Sequence, residues 1–298
     1  MPNWPNLFIA GAPRCGTSSL HAYLQEIPGI FMSRIKEPNY FSRVVIGESH
    51  PMVKPIRDLE RYLRLFDGAG DAKVIGEATP FYLEDPEAPG LIHDTVPEAR
   101  IILSLRDPVD RLFSHYLMMR NNRPVMGSFM EEIERGLAMQ GDRDSAVLAP
   151  TTGLYSRQVA RYLRVFGEGR VYVLILEEWA RDVPRALTEV LRFLGVDYDC
   201  EALTGLPQRG YAEARGPVVR YLFGNRTISR ATEAMVPYRL RKLVRNAFLM
   251  KRVPKPQMNE EAREFLVQYY REDVRRLELL LGRRLPWRNF RCRETLHH

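Results

Sequence analysis

The sequence predicts an α/β fold, a three-layer sandwich with a central parallel sheet and a P-loop-like phosphate-binding loop after its first strand. Three observations carry this. Short apolar runs alternate with stretches of helical period as far as Gly195. The runs are continuously apolar rather than alternating, as strands buried on both faces of a parallel sheet must be. The first of them leads directly into two glycines five residues apart and then into a helix.

Leu7–Ala10 reads as the first strand and Ser18–Glu26 as the helix behind it. A helix over Leu59–Phe66 precedes a strand at Val74–Gly76, and a strand at Ile101–Leu105 precedes a helix over Val109–Arg120. Tyr155–Phe166 reads as a helix, Val171–Leu176 as a strand and Pro184–Leu194 as a helix. Such alternation implies right-handed crossovers that lay helices on both faces of the sheet. Ligands then bind beyond the carboxyl ends of the strands. The loops after Ala10, Gly76 and Leu105 are therefore where a site is expected. Past Gly195 the pattern weakens, leaving a short helix over Tyr238–Met250 and a long one over Asn259–Leu281. Asn259 is the natural N-cap there, with Glu260 and Glu261 in the first turn. The division expected is one domain over 1–298: an α/β core (1–204), a basic acceptor or lid segment (205–257), and a C-terminal helix and tail (258–298).

The 298 residues carry a net charge of +7, unevenly spread. Between Arg209 and Lys255 stand twelve Lys or Arg against only Glu213 and Glu233. Such a balance suits an anionic small ligand, an anionic membrane or nucleic acid. Aromatics are not interleaved with the basic residues, so no nucleic acid partner is expected. Cys15, Cys200 and Cys292 are odd in number, lie far apart and lack metal-ligand spacing, which points to reduced thiols and a cytoplasmic location. No secretory signal is read at Met1–Phe8 and no transmembrane run of 18 apolar residues is seen. Within the basic segment, Leu240, Leu243, Val244, Ala247 and Phe248 share a helical face. That face either packs on the core or forms a lid or peripheral membrane contact.

The loop Gly11-Ala-Pro-Arg14-Cys15-Gly16-Thr17-Ser18-Ser19 sits between a strand and a helix start, where backbone N–H groups form a nest for phosphate. Read alone, it is also compatible with an ordinary capped junction. A nucleoside-triphosphate loop places Lys directly after its second glycine. Here Thr17 holds that place and the cation comes earlier, at Arg14. No carboxylate ends the Ile101–Leu105 strand to hold magnesium, so a metal-free phosphate site is expected. Arg106, at the end of that strand, and Ser114, two turns along the next helix, suit a second phosphate. By themselves they would equally make a surface turn. Glu37, before Pro38-Asn39-Tyr40-Phe41, is a carboxylate in an apolar setting, where burial raises its pKa. A lone Glu is more often solvated surface.

Taken together, these motifs resemble those of sulfotransferases that use 3′-phosphoadenosine-5′-phosphosulfate (PAPS), especially the heparan sulfate N- and O-sulfotransferase branch with its bacterial members. The resemblance covers Asn6 to Leu194 well and Lys251 to Trp287 more loosely. It implies that Gly11–Ser19 hold the 5′-phosphosulfate, with Arg14 where the family usually has Lys. Arg106 and Ser114, eight residues apart, match the 3′-phosphate motif. Glu37 matches the base that deprotonates the acceptor. Gly76-Glu77-Ala78-Thr79-Pro80-Phe81-Tyr82 resembles a segment lining the acceptor cleft, with Ala78 where several polysaccharide enzymes carry Lys. Tyr155, Gln158 and Arg161 fall where relatives contact the nucleotide, and Lys251 and Arg252 where a basic loop covers it. The implied reaction moves a sulfuryl group from PAPS to a hydroxyl or amine of a glycan, lipid or small metabolite. A P-loop kinase or a non-catalytic nucleotide-binding protein stands as the alternative.

Overall fold

β1 (Leu7–Gly11) has every residue buried, and its two neighbours explain why. It pairs in parallel with β3 (Val74–Ala78) on one side and β4 (Arg100–Leu105) on the other, Leu7 lying opposite both Gly76 and Arg100. β2 (Ile30–Met32) and β5 (Val171–Ile175) complete a five-stranded sheet of order β2-β3-β1-β4-β5. The computed structural model describes residues 3–43, 55–122, 126–139, 148–200 and 254–291, and the backbone of 212–214 and 250–252.

Alternate residues of the central strands feed two different cores. Leu7, Ile9 and Ile102 point into a cluster with Leu20 and Leu24 of α1 (Thr17–Gln25) and Leu187, Val190 and Leu191 of α8 (Val183–Leu194). Phe8, Ala10, Ile101 and Leu103 point the other way, toward α4 (Pro108–Asn122), α6 (Tyr155–Phe166) and α9 (Glu260–Leu281). That is the three-layer sandwich expected, and it hides the continuous apolar runs on both faces. α9 joins the second layer by burying Ala262, Leu266, Tyr270, Val274 and Leu277, mostly four residues apart. Asn259 Oδ1 accepts the Glu261 N–H at 3.1 Å, so the expected cap is in place.

Several elements depart from the sequence reading. The helix from Leu59 is α-helical only over α2 (Leu59–Leu63) and tightens to 3₁₀ over Arg64–Ala69. Leu176 leaves the strand and opens the short α7 (Leu176–Trp179). β2, with three residues, is too short to show a pattern. α3 (Ala88–Thr95) hides behind Pro89 and Gly90, which are tolerated because they fall in its first turn. α5 (Phe129–Ala138) did carry a signal, the Ser128–Glu131 capping box. The helix expected over Tyr238–Met250 lies outside the described residues, except that Met250 opens strand β7 (Met250–Arg252). β7 pairs antiparallel with β6 (Ala212–Ala214).

Candidate active site

The phosphate loop hangs from the end of β1 and is tied to β4 by one side chain. Ser104 Oγ donates to the Cys15 carbonyl at 2.6 Å and accepts from Trp179 Nε1 at 3.3 Å, while the Ala12 N–H reaches the Ser104 carbonyl at 2.7 Å. Gly16 turns the chain into α1 with φ of 82°, the left-handed region. A Cβ there would lie 2.3 Å from the Trp179 ring, so two independent constraints demand glycine. Having no side chain, Gly16 cannot cap α1. Helix geometry then leaves the Thr17 and Ser18 N–H groups to an anion, the Ser19 N–H donating to the Gly16 carbonyl at 2.9 Å. Thr17 is buried, Ser19 half-buried and Ser18 exposed at the rim.

Tyr155 and Cys15 are both fully buried, with Tyr155 Oη 3.9 Å from Cys15 Sγ. Burial pushes the Cys15 thiol up to about 11. The structure places Tyr155 behind the loop, as a backing for it, rather than at its mouth. Gln158 is also buried, its Nε2 3.4 Å from the Thr152 carbonyl.

The second anchor closes on the first. Arg14, at φ 69°, sends its Nε to Ser114 Oγ at 3.2 Å and its Nη1 toward Met118 Sδ at 3.5 Å, and Arg106 Nη1 reaches back to the Arg14 carbonyl at 3.5 Å. The protein surroundings and then the like charge of Arg106 pull the Arg14 pKa down. Lys255 adds to this cationic patch; desolvation, Arg106 and Arg14 all pull its pKa down as well, and its Nζ sits 5.3 Å over the Phe113 ring. A cluster of cations, two of them with lowered pKa, could hold an anion. Sequence reasoning passed over Lys255, although it stands in the same Lys-Arg-Val-Pro-Lys run as Lys251 and Arg252. Those two lie in β7, and their side chains are outside the described residues.

The loop that follows Arg106 is fixed by a carboxylate pair. Asp107 Oδ1 caps α4 through the Val109 N–H at 3.0 Å, its Oδ2 accepts from Asn289 Nδ2 at 2.9 Å, and the Asp107 N–H donates to Glu177 Oε1 at 3.1 Å. Trp287 Nε1 donates to the other Glu177 oxygen at 3.1 Å, so the segment after α9 braces the Arg106 loop. Burial first, and then Asp110, raises Asp107 to about 7.

Glu37 stands on a loop set against the end of β3. Its φ of 58° and that of Asn39, 52°, are left-handed, so the loop needs outside fixing. The fixing is regular. Glu37 N–H donates to the Ala78 carbonyl at 2.9 Å, Asn39 N–H to Thr79 Oγ1 at 3.5 Å, and Phe41 N–H to Tyr82 Oη at 3.2 Å. Ser42 Oγ and the Arg43 N–H then both donate to Asp85 Oδ2. Buried Glu77 governs two of these contacts, accepting from Thr79 at 2.6 Å, Tyr82 at 3.1 Å and also Tyr62 at 2.6 Å. Burial raises Glu77 to about 7, against the three hydroxyl donors that lower it. Glu37 itself is half-buried, with its pKa raised by burial and held back by Lys36. Lys36 Nζ in turn reaches Ser18 Oγ at 2.6 Å, bringing the Glu37 loop to the rim of the phosphate loop. Lys36 was not singled out in the sequence.

Arg14 thus joins the loop after β1 to Ser114, and Lys36 joins the segment carrying the raised carboxyl of Glu37 to the loop's rim. Residues 5–278 match the sulfotransferase domain family. The chain belongs to that family. A solved sulfotransferase from Alicyclobacillus acidocaldarius is 30% identical, with 95% of this chain and 98% of that one covered at a TM-score of 0.72. Human carbohydrate sulfotransferase 15 is 29% identical over 64% of this chain and 44% of its own length. Mouse bifunctional heparan sulfate N-deacetylase/N-sulfotransferase 4 is 28% identical over 94% of this chain and 30% of its own length. The sulfotransferase domain described here therefore spans less than half of either curated relative.

Proposed function

We propose that this sulfotransferase domain moves the sulfuryl group of PAPS to a hydroxyl or amine acceptor and releases 3′-phosphoadenosine 5′-phosphate. The observation that carries the reading is the meeting of the two anchors, Arg14 Nε on Ser114 Oγ at 3.2 Å, with Glu37 tied to the loop's other rim through Lys36. Two anion sites so linked suit one ligand with a phosphate at each end. The residues present fit it: first-turn N–H groups and the Ser18 and Ser19 hydroxyls for the 5′ end, Arg106, Ser114 and Lys255 for the 3′ end. Bound there, PAPS supplies an activated S–O bond.

The chain's own residues do the rest. Glu37 accepts the acceptor's proton as the new bond to sulfur forms. The loop N–H groups stabilise the charge left on the departing 5′-phosphate oxygen. Buried, free Cys15 and Cys200 support placing the chain in a reducing, cytoplasmic compartment. The proposed contact of 238–250 with a lipid surface or lid position falls outside the described residues. The test is thermal stabilisation by 3′-phosphoadenosine 5′-phosphate with EDTA present, against ATP with magnesium. At about 100 times its Kd the diphosphate adds roughly 2.7 kcal/mol. Greater stabilisation by ATP with magnesium would overturn the reading in favour of a kinase. Labelled PAPS with a panel of glycan, lipid and small hydroxyl or amine acceptors then reads out transfer.

A further inference from the structure

The cation that the family resemblance puts at the 5′-phosphosulfate, Arg14, is turned toward the other anchor. Its Nε is on Ser114, its Nη1 near Met118, and Arg106 donates to its carbonyl. The cation found at the rim of the nest is instead Lys36. Its ammonium donates to Ser18 Oγ, in the first turn of α1, at 2.6 Å. This is a costly place for a positive charge, because the helix start is the positive end of its dipole. Burial, and then the Lys36 ammonium, pull His21 down to about 4, which keeps that imidazole neutral. Lys36 thus faces a helix N-terminus, with neutral His21 within reach of its charge and the half-buried carboxyl of Glu37 next to it in the chain. An anion in the nest would complete the arrangement, meeting the backbone N–H groups on one side and the ammonium on the other.

We infer that Lys36 is a catalytic residue for sulfuryl transfer, its ammonium donating to the phosphosulfate at the rim of the loop, while Arg14 joins Arg106 and Ser114 at the 3′-phosphate. The inference rests on the sulfotransferase reading above. In the transfer, the acceptor oxygen or nitrogen bonds to sulfur and the bond from sulfur to the 5′-phosphate oxygen breaks. The electron pair of that bond stays on the phosphate oxygen, and the acceptor's proton goes to Glu37. Lys36 lies between these events, adjacent to the base and at the rim where the leaving charge grows. It offsets that charge without giving up a proton. A point-like ammonium on a flexible stem suits a centre whose charge moves during the reaction, whereas the planar fork of Arg14 suits a static terminal phosphate.

The two cations are separated by giving each half of the ligand alone. Calorimetry on wild type, Lys36→Met and Arg14→Ala uses adenosine 5′-monophosphate, adenosine 3′-monophosphate and the 3′,5′-diphosphate. Lys36→Met is expected to weaken the 5′-monophosphate and the diphosphate about tenfold or more, the scale of a lost charge-assisted hydrogen bond, and to leave the 3′-monophosphate unchanged. Arg14→Ala is expected to do the reverse. Lys36→Arg, which keeps the charge, should recover most of the 5′ affinity and part of kcat, and it also serves as the folding control. Equal weakening of all three ligands by Lys36→Met, or unchanged 5′ affinity, overturns the assignment. A 5′ loss confined to Arg14→Ala overturns it too. The sulfotransferase reading fails separately: wild type that binds the diphosphate but transfers nothing from PAPS to any acceptor refutes transfer, whatever the ligand halves show.

Discussion

Glu77→Gln tests the buried hub that sets the Glu37 loop, and its signature is a change in how stability depends on pH. In the folded protein burial raises Glu77 to about 7, against an ordinary value of 4.5. The folded state therefore binds a proton that the unfolded state releases between those values. A carboxyl raised in this way stabilises the fold below the ordinary value and loses that contribution as pH climbs to about 7. The difference corresponds to on the order of 3 kcal/mol. Gln keeps the volume, an acceptor for Tyr62 and Tyr82 and, like the protonated carboxyl, a donor toward the Thr79 oxygen, so the two proteins differ little at low pH. At roughly 2.1 cal/mol/K of unfolding entropy per residue, a chain of this length shifts Tm by about 5 °C for 3 kcal/mol. The expected result is a variant close to wild type at pH 5 and more stable than it by about 5 °C at pH 8. Asp107 also titrates at about 7, so both proteins carry its slope and only the difference isolates Glu77. Thermal denaturation at the two pH values reads it out. Parallel curves would show that Glu77 does not titrate in that window, and with it the account of the hub would fall.

Glu37→Gln should leave binding of 3′-phosphoadenosine 5′-phosphate nearly unchanged and lower turnover about 10²-fold, measured by calorimetry and sulfate transfer. A near-normal rate would remove Glu37 from proton transfer. Arg106→Ala should cost about 1.5–3 kcal/mol with that diphosphate and far less with adenosine 5′-monophosphate, which lacks the partner. Equal losses would make Arg106 a residue of the fold. Gly16→Ala combines a left-handed backbone, about 1–2 kcal/mol for an L-residue, with a Cβ 2.3 Å from the Trp179 ring. Its Tm should drop and its diphosphate binding should collapse together; retained binding would mean that the loop has another conformation.

Much of the core and of the loop after β1 could be read before any coordinates, because each rests on local chemistry. A continuous apolar run such as Ile101–Leu105 has few fates other than a strand buried on both faces. Glycines five apart between a strand and a helix have few uses other than a tight turn at a helix start. The sequence put Arg106 at the end of a strand and Ser114 on the next helix, and the structure joins Ser114 to Arg14 instead. The short β2 and the proline-headed α3 were not legible, since three residues or one irregular turn carry too little pattern. The Ser128–Glu131 box shows that α5 was legible in principle.

What the sequence by itself determined is the set of layers and the place of the loop, both consequences of periodicity and backbone geometry. Only the tertiary structure decided which way the long side chains reach. Arg14 turns to Ser114 across a separation of 100 residues, and Lys36 to Ser18 across 18. It likewise placed Tyr155 behind the loop and made buried Glu77 the hub for residues 39 and 41. Flexible stems and hydroxyls take partners by proximity, and proximity between distant residues exists only once the sheet has brought β1, β3 and β4 side by side.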